Sequence, residues 1–301
     1  VLIFLRFFVP RLRRPKLGQH FLTDPGYRSR IAQSLPLQPD ELVIEIGAGR
    51  GDMTRLLAGR ARKVVAVEID PALARKLEEK FRGQARVEIL HADILSVNIA
   101  ELCRRAGSDA CFVFGNLPYY ITSPIIHHLV RYSASIRGMA LLVQREVAER
   151  LVATPGTRAY GYLSVLTQLT SRTRVVFTVP PGAFSPPPKV HSALVSFEVV
   201  STPPAWAKKG QPPAAGAEAG TEPGNPSGGA TSAAGDHEKF LEFVKRCFTH
   251  KRKNLLNNLS ASFSRNGIEQ ELARLSLPAT VRAEQLSIEQ LADLYAGLDP
   301  A

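Results

Sequence analysis

Four five-residue runs, Leu42–Ile46, Lys63–Val67, Arg86–Leu90 and Ala110–Phe114, constrain this chain more than any other feature. Each is too short for a buried helix and carries β-branched or aromatic side chains, the pattern of strands covered on both faces. Helical segments lie between the first three: Asp52–Arg60 turns Leu56 and Leu57 inward, and Pro71, suited to a first turn, opens Pro71–Phe81. The alternation continues with a helix at Ser123–Tyr132 and a strand at Gly138–Gln144. Helices at Arg145–Val152 and Tyr160–Thr170 and strands at Arg174–Val179 and Ser192–Val200 follow. Elements in this order specify an α/β chain on a doubly wound sheet with both faces covered.

The end of each run carries chemistry. The first ends in Gly47-Ala48-Gly49-Arg50-Gly51, where glycines let the backbone approach a ligand at a helix start. Their spacing departs from the dinucleotide fingerprint G-x-G-x-x-G, whose third glycine would stand where this chain has Asp52. The second run ends at Glu68, a position from which a carboxylate accepts from both hydroxyls of a ribose. The third leads to Asp93, whose carboxylate is placed to accept from an adenine amino group. The fourth delivers Gly115-Asn116-Leu117-Pro118-Tyr119-Tyr120 to the carboxyl edge of the sheet, where open α/β sheets bind ligands. Pro118 keeps Leu117 out of helical angles and the segment extended. The Asn116 side-chain carbonyl and a nearby backbone carbonyl then accept from one planar amine, and Tyr119 or Tyr120 offers a face to a base. Such a segment holds an exocyclic amino group.

A net charge of +11 over 301 residues favours a polyanionic partner. The three cysteines, Cys103, Cys111 and Cys247, are scattered and form no CxxC, which disfavours a disulfide framework or a cysteine-rich zinc site and fits a reducing cytoplasm. No HExxH occurs, no metal is expected, and the pair His127-His128 is expected as one buried and one exposed helical position. The apolar start Val1–Val9 is too short to span a bilayer, is broken by Arg6, and lacks the marks of a signal peptide. It is expected to be a disordered or loosely packed extension, Val at position 1 pointing to an unusual or misassigned start, and Arg11, Arg13, Arg14 and Lys16 make the next stretch a basic arm. From Ser201 to Gly235 the composition shifts to Pro, Ala, Gly, Ser and Thr, that of a disordered linker. Beyond it, Lys239–Thr249 is amphipathic, with Phe240, Phe243, Val244 and Phe248 along one side. The basic run His250–Asn254 and helices at Leu255–Phe263, Ile268–Leu275 and Ser287–Leu298 complete the chain. The expected division is an extension (1–15), a sheet domain (16–200), a linker (201–236) and a small α-helical domain (237–301) whose basic run meets phosphates.

Six stretches together resemble the small-subunit ribosomal RNA adenine dimethyltransferases of the kasugamycin-resistance type. They are Leu17–Leu22 (LGQHFL), Glu45–Gly51 (EIGAGRG), Asn116–Tyr119 (NLPY), Phe184–Ser192 (FSPPPKVHS), Phe248–Asn258 (FTHKRKNLLNN) and Arg282–Ser287 (RAEQLS). The resemblance implies a class I S-adenosylmethionine-dependent methyltransferase sheet with a small C-terminal α-helical domain. It implies S-adenosylmethionine lying across Gly47, Glu68 on its ribose, Asp93 on its adenine, and His20 and Leu22 closing over it. Asn116 would face the transferred methyl, with Leu117, Pro118 and Tyr119 completing the catalytic segment. The family often carries Asn where this chain has His20. The implied substrate is a pair of adjacent adenosines in a hairpin loop near the 3′ end of small-subunit RNA, each receiving two methyls. The implied setting is a cytoplasmic monomer acting on that RNA or a 30S-type pre-ribosomal particle, with no membrane partner. The rival readings are a DNA adenine methyltransferase, which typically brings a larger sequence-reading domain, and a resistance-type enzyme acting on large-subunit RNA. A third, a non-catalytic RNA-binding protein on the same fold, is opposed by the intact glycine turn with Glu68, Asp93 and Asn116.

Overall fold

A computed structural model describes residues 19–200 and 230–298. The basic arm and most of the Pro/Gly/Ala-rich stretch, residues 201–229, lie outside the described residues. The strands are β1 (Phe21–Leu22), β2 (Leu42–Ile46), β3 (Lys63–Glu68), β4 (Val87–His91), β5 (Cys111–Asn116), β6 (Ile136–Gln144), β7 (Ser171–Val179), β8 (Phe184–Ser185) and β9 (Ser192–Val199). The helices are α1 (Pro25–Ser34), α2 (Asp52–Ala58), α3 (Pro71–Lys80), α4 (Ile99–Arg105), α5 (Thr122–Arg131), α6 (Arg145–Leu151) and α7 (Tyr162–Gln168). Toward the C-terminus come α8 (Ala230–Cys247), α9 (Leu255–Leu259), α10 (Arg265–Arg274) and α11 (Ile288–Gly297).

Seven strands form the main sheet in the order β4-β3-β2-β5-β6-β9-β7. The pairs from β4 through β6 are parallel, and β9 runs antiparallel to both neighbours. The chain builds outward from β2 to β4 and then returns to the other side of β2 as β5. The crevice between β2 and β5 is therefore the topological switch point, where a ligand site is expected in an open α/β sheet. Register fixes the geometry there: Ile46 pairs with Gly115, so Gly47 and Asn116 leave the sheet side by side. Strands β2, β3 and β5 pack as the unbroken apolar runs require, with every residue of β2 buried, Glu45 included. Strand β4, expected to be covered on both faces, is only half-buried because it lies at the sheet edge.

Some elements go beyond the sequence reading. Helix α1 starts on Asp24, whose carboxylate accepts from Tyr27 N–H, with proline in the first turn, and α4 starts on Asn98. The Pro180–Lys189 loop contains β8, which pairs with β1 through Phe21↔Ser185 and Leu22↔Phe184. Helix α8 begins at Ala230, ahead of the amphipathic pattern, because Ala-Thr-Ser-Ala-Ala tolerates helix despite its linker-like composition. His127 and His128 do not divide into buried and exposed positions. Both are half-buried on the flanks of the Ile125–Ile126–Leu129–Val130 stripe, His128 bonded to Val97 O at 3.0 Å and His127 stacked on Tyr162.

The C-terminal helices bury the aromatic side of α8. Phe243 meets Tyr295 at 5.2 Å between ring centroids and the edge of Phe263 at 5.9 Å. The same apolar cluster runs on through Tyr160, Val165 and Leu166 to the sheet residues Leu141, Val143 and Val195. Tyr160 meets Phe248 edge-on, Lys251 Nζ donates to Arg158 O, and Gly156 N–H donates to Glu284 O at 2.7 Å. Lys251, Arg252 and Lys253 remain exposed. Among the described residues no helix is long and apolar enough to cross a membrane.

Candidate active site

The glycine turn after β2 has a backbone that only glycine adopts without strain: Gly47, Gly49 and Gly51 sit at φ +71°, +58° and +74°. A Cβ on Gly51 would come within 2.6 Å of Leu77 and Phe81, so α3 packs directly on the turn. From the other side Glu68, almost fully buried at the end of β3, braces it. Its Oε2 accepts from Gly49 N–H at 2.8 Å and its Oε1 from Asp70 N–H at 2.9 Å. Each carboxylate oxygen has two lone pairs, so both retain capacity for a further donor.

Above the switch point the structure forms an open cleft. It is lined by His20, Gly47, Glu68, Asn116, Leu117, Pro118 and Tyr119, among others. A second compartment beside it is lined by Leu22, Glu45, Ala48, Arg50 and Met53, and Phe21, Gly47, Gly49 and Asn116 border both. Eight of the nine site residues read from the sequence thus meet around one crevice. Asp93 stands apart. It is exposed at the tip of the edge strand β4, where its Oδ1 caps a short 3-10 turn by accepting from Leu95 N–H at 3.0 Å.

At the amine end, Asn116 Nδ2 donates to His20 O at 2.9 Å. With the amide N–H₂ turned to a carbonyl, Asn116 Oδ1 is the atom left to accept. Leu117 N–H is bound to Leu142 O at 3.0 Å, which fixes the Asn116–Leu117 peptide, one residue before the Leu117 carbonyl. Tyr119 OH lies 2.9 Å from Ser192 Oγ, and burial raises its pKa, an effect the Ser192 bond partly offsets. Its ring sits against the His20 ring at 5.4 Å, while Tyr120 is 58% exposed.

The profile of the family "Ribosomal RNA adenine dimethylase" matches residues 11–209. The chain belongs to the ribosomal RNA adenine dimethylase family. Among curated relatives, the dimethylase is 38% identical to "Ribosomal RNA small subunit methyltransferase A" of Acidobacterium capsulatum, covering 95% of this chain and 91% of that one. It is 37% identical to the protein of the same name from Koribacter versatilis, covering 94% and 93%. Its structure resembles that of the 23S rRNA methyltransferase ErmE, with a TM-score of 0.61 and 28% identity over 93% of this chain and 99% of that one. It also shares the fold of a dimethyladenosine transferase from Plasmodium falciparum, with a TM-score of 0.69 and 22% identity over 91% and 96%.

S-adenosylmethionine is the methyl donor of this dimethylase, and the crevice fits it. Two lining residues that reasoning from the sequence passed over contribute to the fit. Glu45, 2% exposed, has an Oε2 with no hydrogen-bond partner among the described residues. Burial raises its pKa to about 8, an effect the neighbouring Thr54 hydroxyl offsets in part and the Glu68 and Asp52 carboxylates add to. A buried acidic group bordering a cavity suits a cationic ligand group such as the donor's ammonium. Its signal was present in the sequence, as an acidic residue inside an otherwise apolar strand. Ile69, next to Glu68, keeps a large apolar side chain 45% exposed on the lining of the cleft, a surface for a flat base.

Proposed function

We propose that the chain transfers methyl groups from S-adenosylmethionine to the exocyclic amines of two adjacent adenosines in a hairpin loop near the 3′ end of small-subunit ribosomal RNA. The observation that carries the reading is the Asn116 amide. Its donor side is held by His20 O, so its acceptor faces a crevice that also holds the glycine turn and Glu68. Curated relatives named for small-subunit RNA, at 37–38% identity over nearly the whole chain, support that substrate.

When bound, the donor supplies an electrophilic sulfonium methyl. Glu45 and the turn Gly47–Gly51 would hold its amino-acid end, Glu68 its ribose, and Asp93 and Ile69 its adenine, with Leu22 and the main chain at His20 walling it in. The target amine is a poor nucleophile because its lone pair is delocalised into the ring. Asn116 Oδ1 and the Leu117 carbonyl accept its N–H bonds, which favours a pyramidal nitrogen with its lone pair directed at the methyl. The residues therefore act by orientation and by a preorganised electrostatic environment. Tyr119, anchored by Ser192, lines the site where a loop base is splayed out. The exposed Lys251–Lys253 run is assigned to the RNA backbone, with residues 237–301 as the gripping part and 16–200 as the catalytic part. The enzyme is assigned to the cytoplasm as a monomer acting on a 30S-type particle.

The likeness to ErmE favours one second reading, methylation of large-subunit RNA. Primer extension across both ribosomal RNAs tests the two together, using a strain without its own small-subunit dimethylase and supplied with this chain. Stops at the paired adenosines of the small-subunit hairpin are expected. Stops confined to large-subunit RNA would assign the chain to the other substrate.

A further inference from the structure

The register of the β1–β8 ladder has a consequence at its end. Phe21↔Ser185 and Leu22↔Phe184 place His20 opposite Pro186. Proline has no N–H, so the ladder cannot continue through its nitrogen. The His20 side chain takes over, its Nδ1 lying 2.8 Å from Pro186 O. A carbonyl only accepts, so Nδ1 carries the proton and donates. The same residue meets the catalytic segment twice more. Its main-chain carbonyl accepts from Asn116 Nδ2 at 2.9 Å, and its ring sits 5.4 Å from that of Tyr119. Tyr119 OH in turn is 2.9 Å from Ser192 Oγ, where the loop that starts at Pro186 rejoins the sheet.

We infer that His20 is a positioning residue. Its imidazole fastens residues 186–192 to the strand entering β1, and that fastening sets which end of the Asn116 amide faces the amine. Without it, the His20 carbonyl is held only by the chain leaving Phe21. The Asn116 side chain then loses its fixed partner and turns either end toward the cleft, and the ring of Tyr119 loses one neighbour. The inference rests on the reading of Asn116 as the acceptor, and it goes further by giving the His20 imidazole a role through Asn116 and Tyr119.

Three variants separate this from a contact to the donor or a purely structural role. His20→Ala is expected to lower kcat by about tenfold to thirtyfold, with KM for RNA and Kd for S-adenosylmethionine within about threefold of wild type. His20→Asn is expected to recover most of that loss, because Asn Nδ2 is bonded to Cγ as His Nδ1 is and donates from nearly the same place. His20→Leu, of similar bulk and with no donor, is expected to behave as the alanine variant does. An independent readout is the Asn116 side-chain amide in ¹⁵N spectra. It is expected to resist solvent exchange in wild type and His20→Asn, and to exchange freely in His20→Ala even if that variant melts lower. Three results would overturn the inference: unchanged kcat in His20→Ala, a loss confined to donor Kd, or no recovery by asparagine. If wild type methylates neither RNA, the functional reading fails by itself. The amide spectra then decide the His20 inference, and unchanged exchange in His20→Ala would refute it.

Discussion

The two ends of the proposed donor site are built differently. At the inner end, on β2, β3 and β5, Glu45 and Glu68 are buried, Asn116 is half-buried, and the polar groups are mostly committed. Glu68 is bonded through both oxygens, Asn116 to His20 O, and Glu45 lies within the sheet with one oxygen unmatched. At the outer end, in the turn that follows β4, Asp93 and Leu95 are exposed and Asp93 is bonded only to its own turn. Their sheet positions explain this. The inner strands have neighbours on both sides, whereas β4 is an edge whose tip faces water. The inner end is preorganised by the same contacts that fold the sheet, so changes there alter chemistry or stability. The outer end is solvated, so its interaction with a ligand competes with water and each contact contributes less.

The largest expected effect tests the inner end directly. Asn116→Ala should lower kcat by about a hundredfold or more, on the scale of one preorganised hydrogen-bonding group lost from a transition state. Calorimetry should show donor binding retained. Near-wild-type turnover would remove Asn116 from the mechanism and with it the contrast between the two ends.

Glu45→Gln comes next, and its signature is pH dependence. Glu45 has a folded pKa of about 8 against an ordinary value of 4.5. Its contribution to stability is therefore fully present below about pH 4.5 and is lost as the pH rises through about 8. Glutamine never ionises, so donor-free Glu45→Gln should melt higher than wild type at pH 8. Donor binding should move the other way. If Glu45 must lose its proton to hold an ammonium, wild-type affinity should rise by up to about tenfold per unit between pH 6 and 7.5, and the variant should be flatter and weaker. Calorimetry in buffers of different ionisation heat counts the released proton, and no release would place the ammonium elsewhere.

A smaller effect belongs to the RNA grip. Replacing Lys251, Arg252 and Lys253 with alanine should flatten the slope of log affinity against log salt by roughly two units for a largely single-stranded target, leaving donor affinity unchanged. Equal slopes would assign the grip to other basic residues. The smallest effect is expected at the outer end. Asp93→Ala should weaken donor binding by less than about tenfold, the scale of one solvated hydrogen bond. Asp93→Asn, which keeps a side-chain cap for Leu95 N–H, should melt above the alanine variant. An Asp93→Ala loss as large as that of an inner residue would show that the outer end becomes buried when occupied.

How much of this was legible in the sequence also depends on burial and locality. The strands of the parallel half and the residues at their tips were readable, because apolar runs and the Gly-x-Gly-x-Gly spacing are local signals. The β1–β8 ladder was not, because pairing residues 21–22 with 184–185 is a long-range event in two short segments, one of them rich in proline. The contact made by the His20 imidazole was hidden for the same reason. Glu45 was visible as an acid within an apolar strand, yet only the structure shows that its Oε2 goes unmatched. The start of α8 was obscured because its first turns share the composition of the stretch before them.

The apolar cluster that joins the C-terminal helices to the sheet bears on how the molecule comes apart. It passes from Leu141 and Val195 through Tyr160 and Leu166 to Phe240 and Leu294. Residues far apart along the chain thus contribute to one cooperative unit, and denaturant should release them in a single transition. A truncation before α8 would leave Tyr160 and its neighbours facing water, a sticky patch on an otherwise intact sheet. Soluble expression of residues 16–200 alone is therefore expected to suffer from the loss of helices that carry none of the proposed catalytic residues.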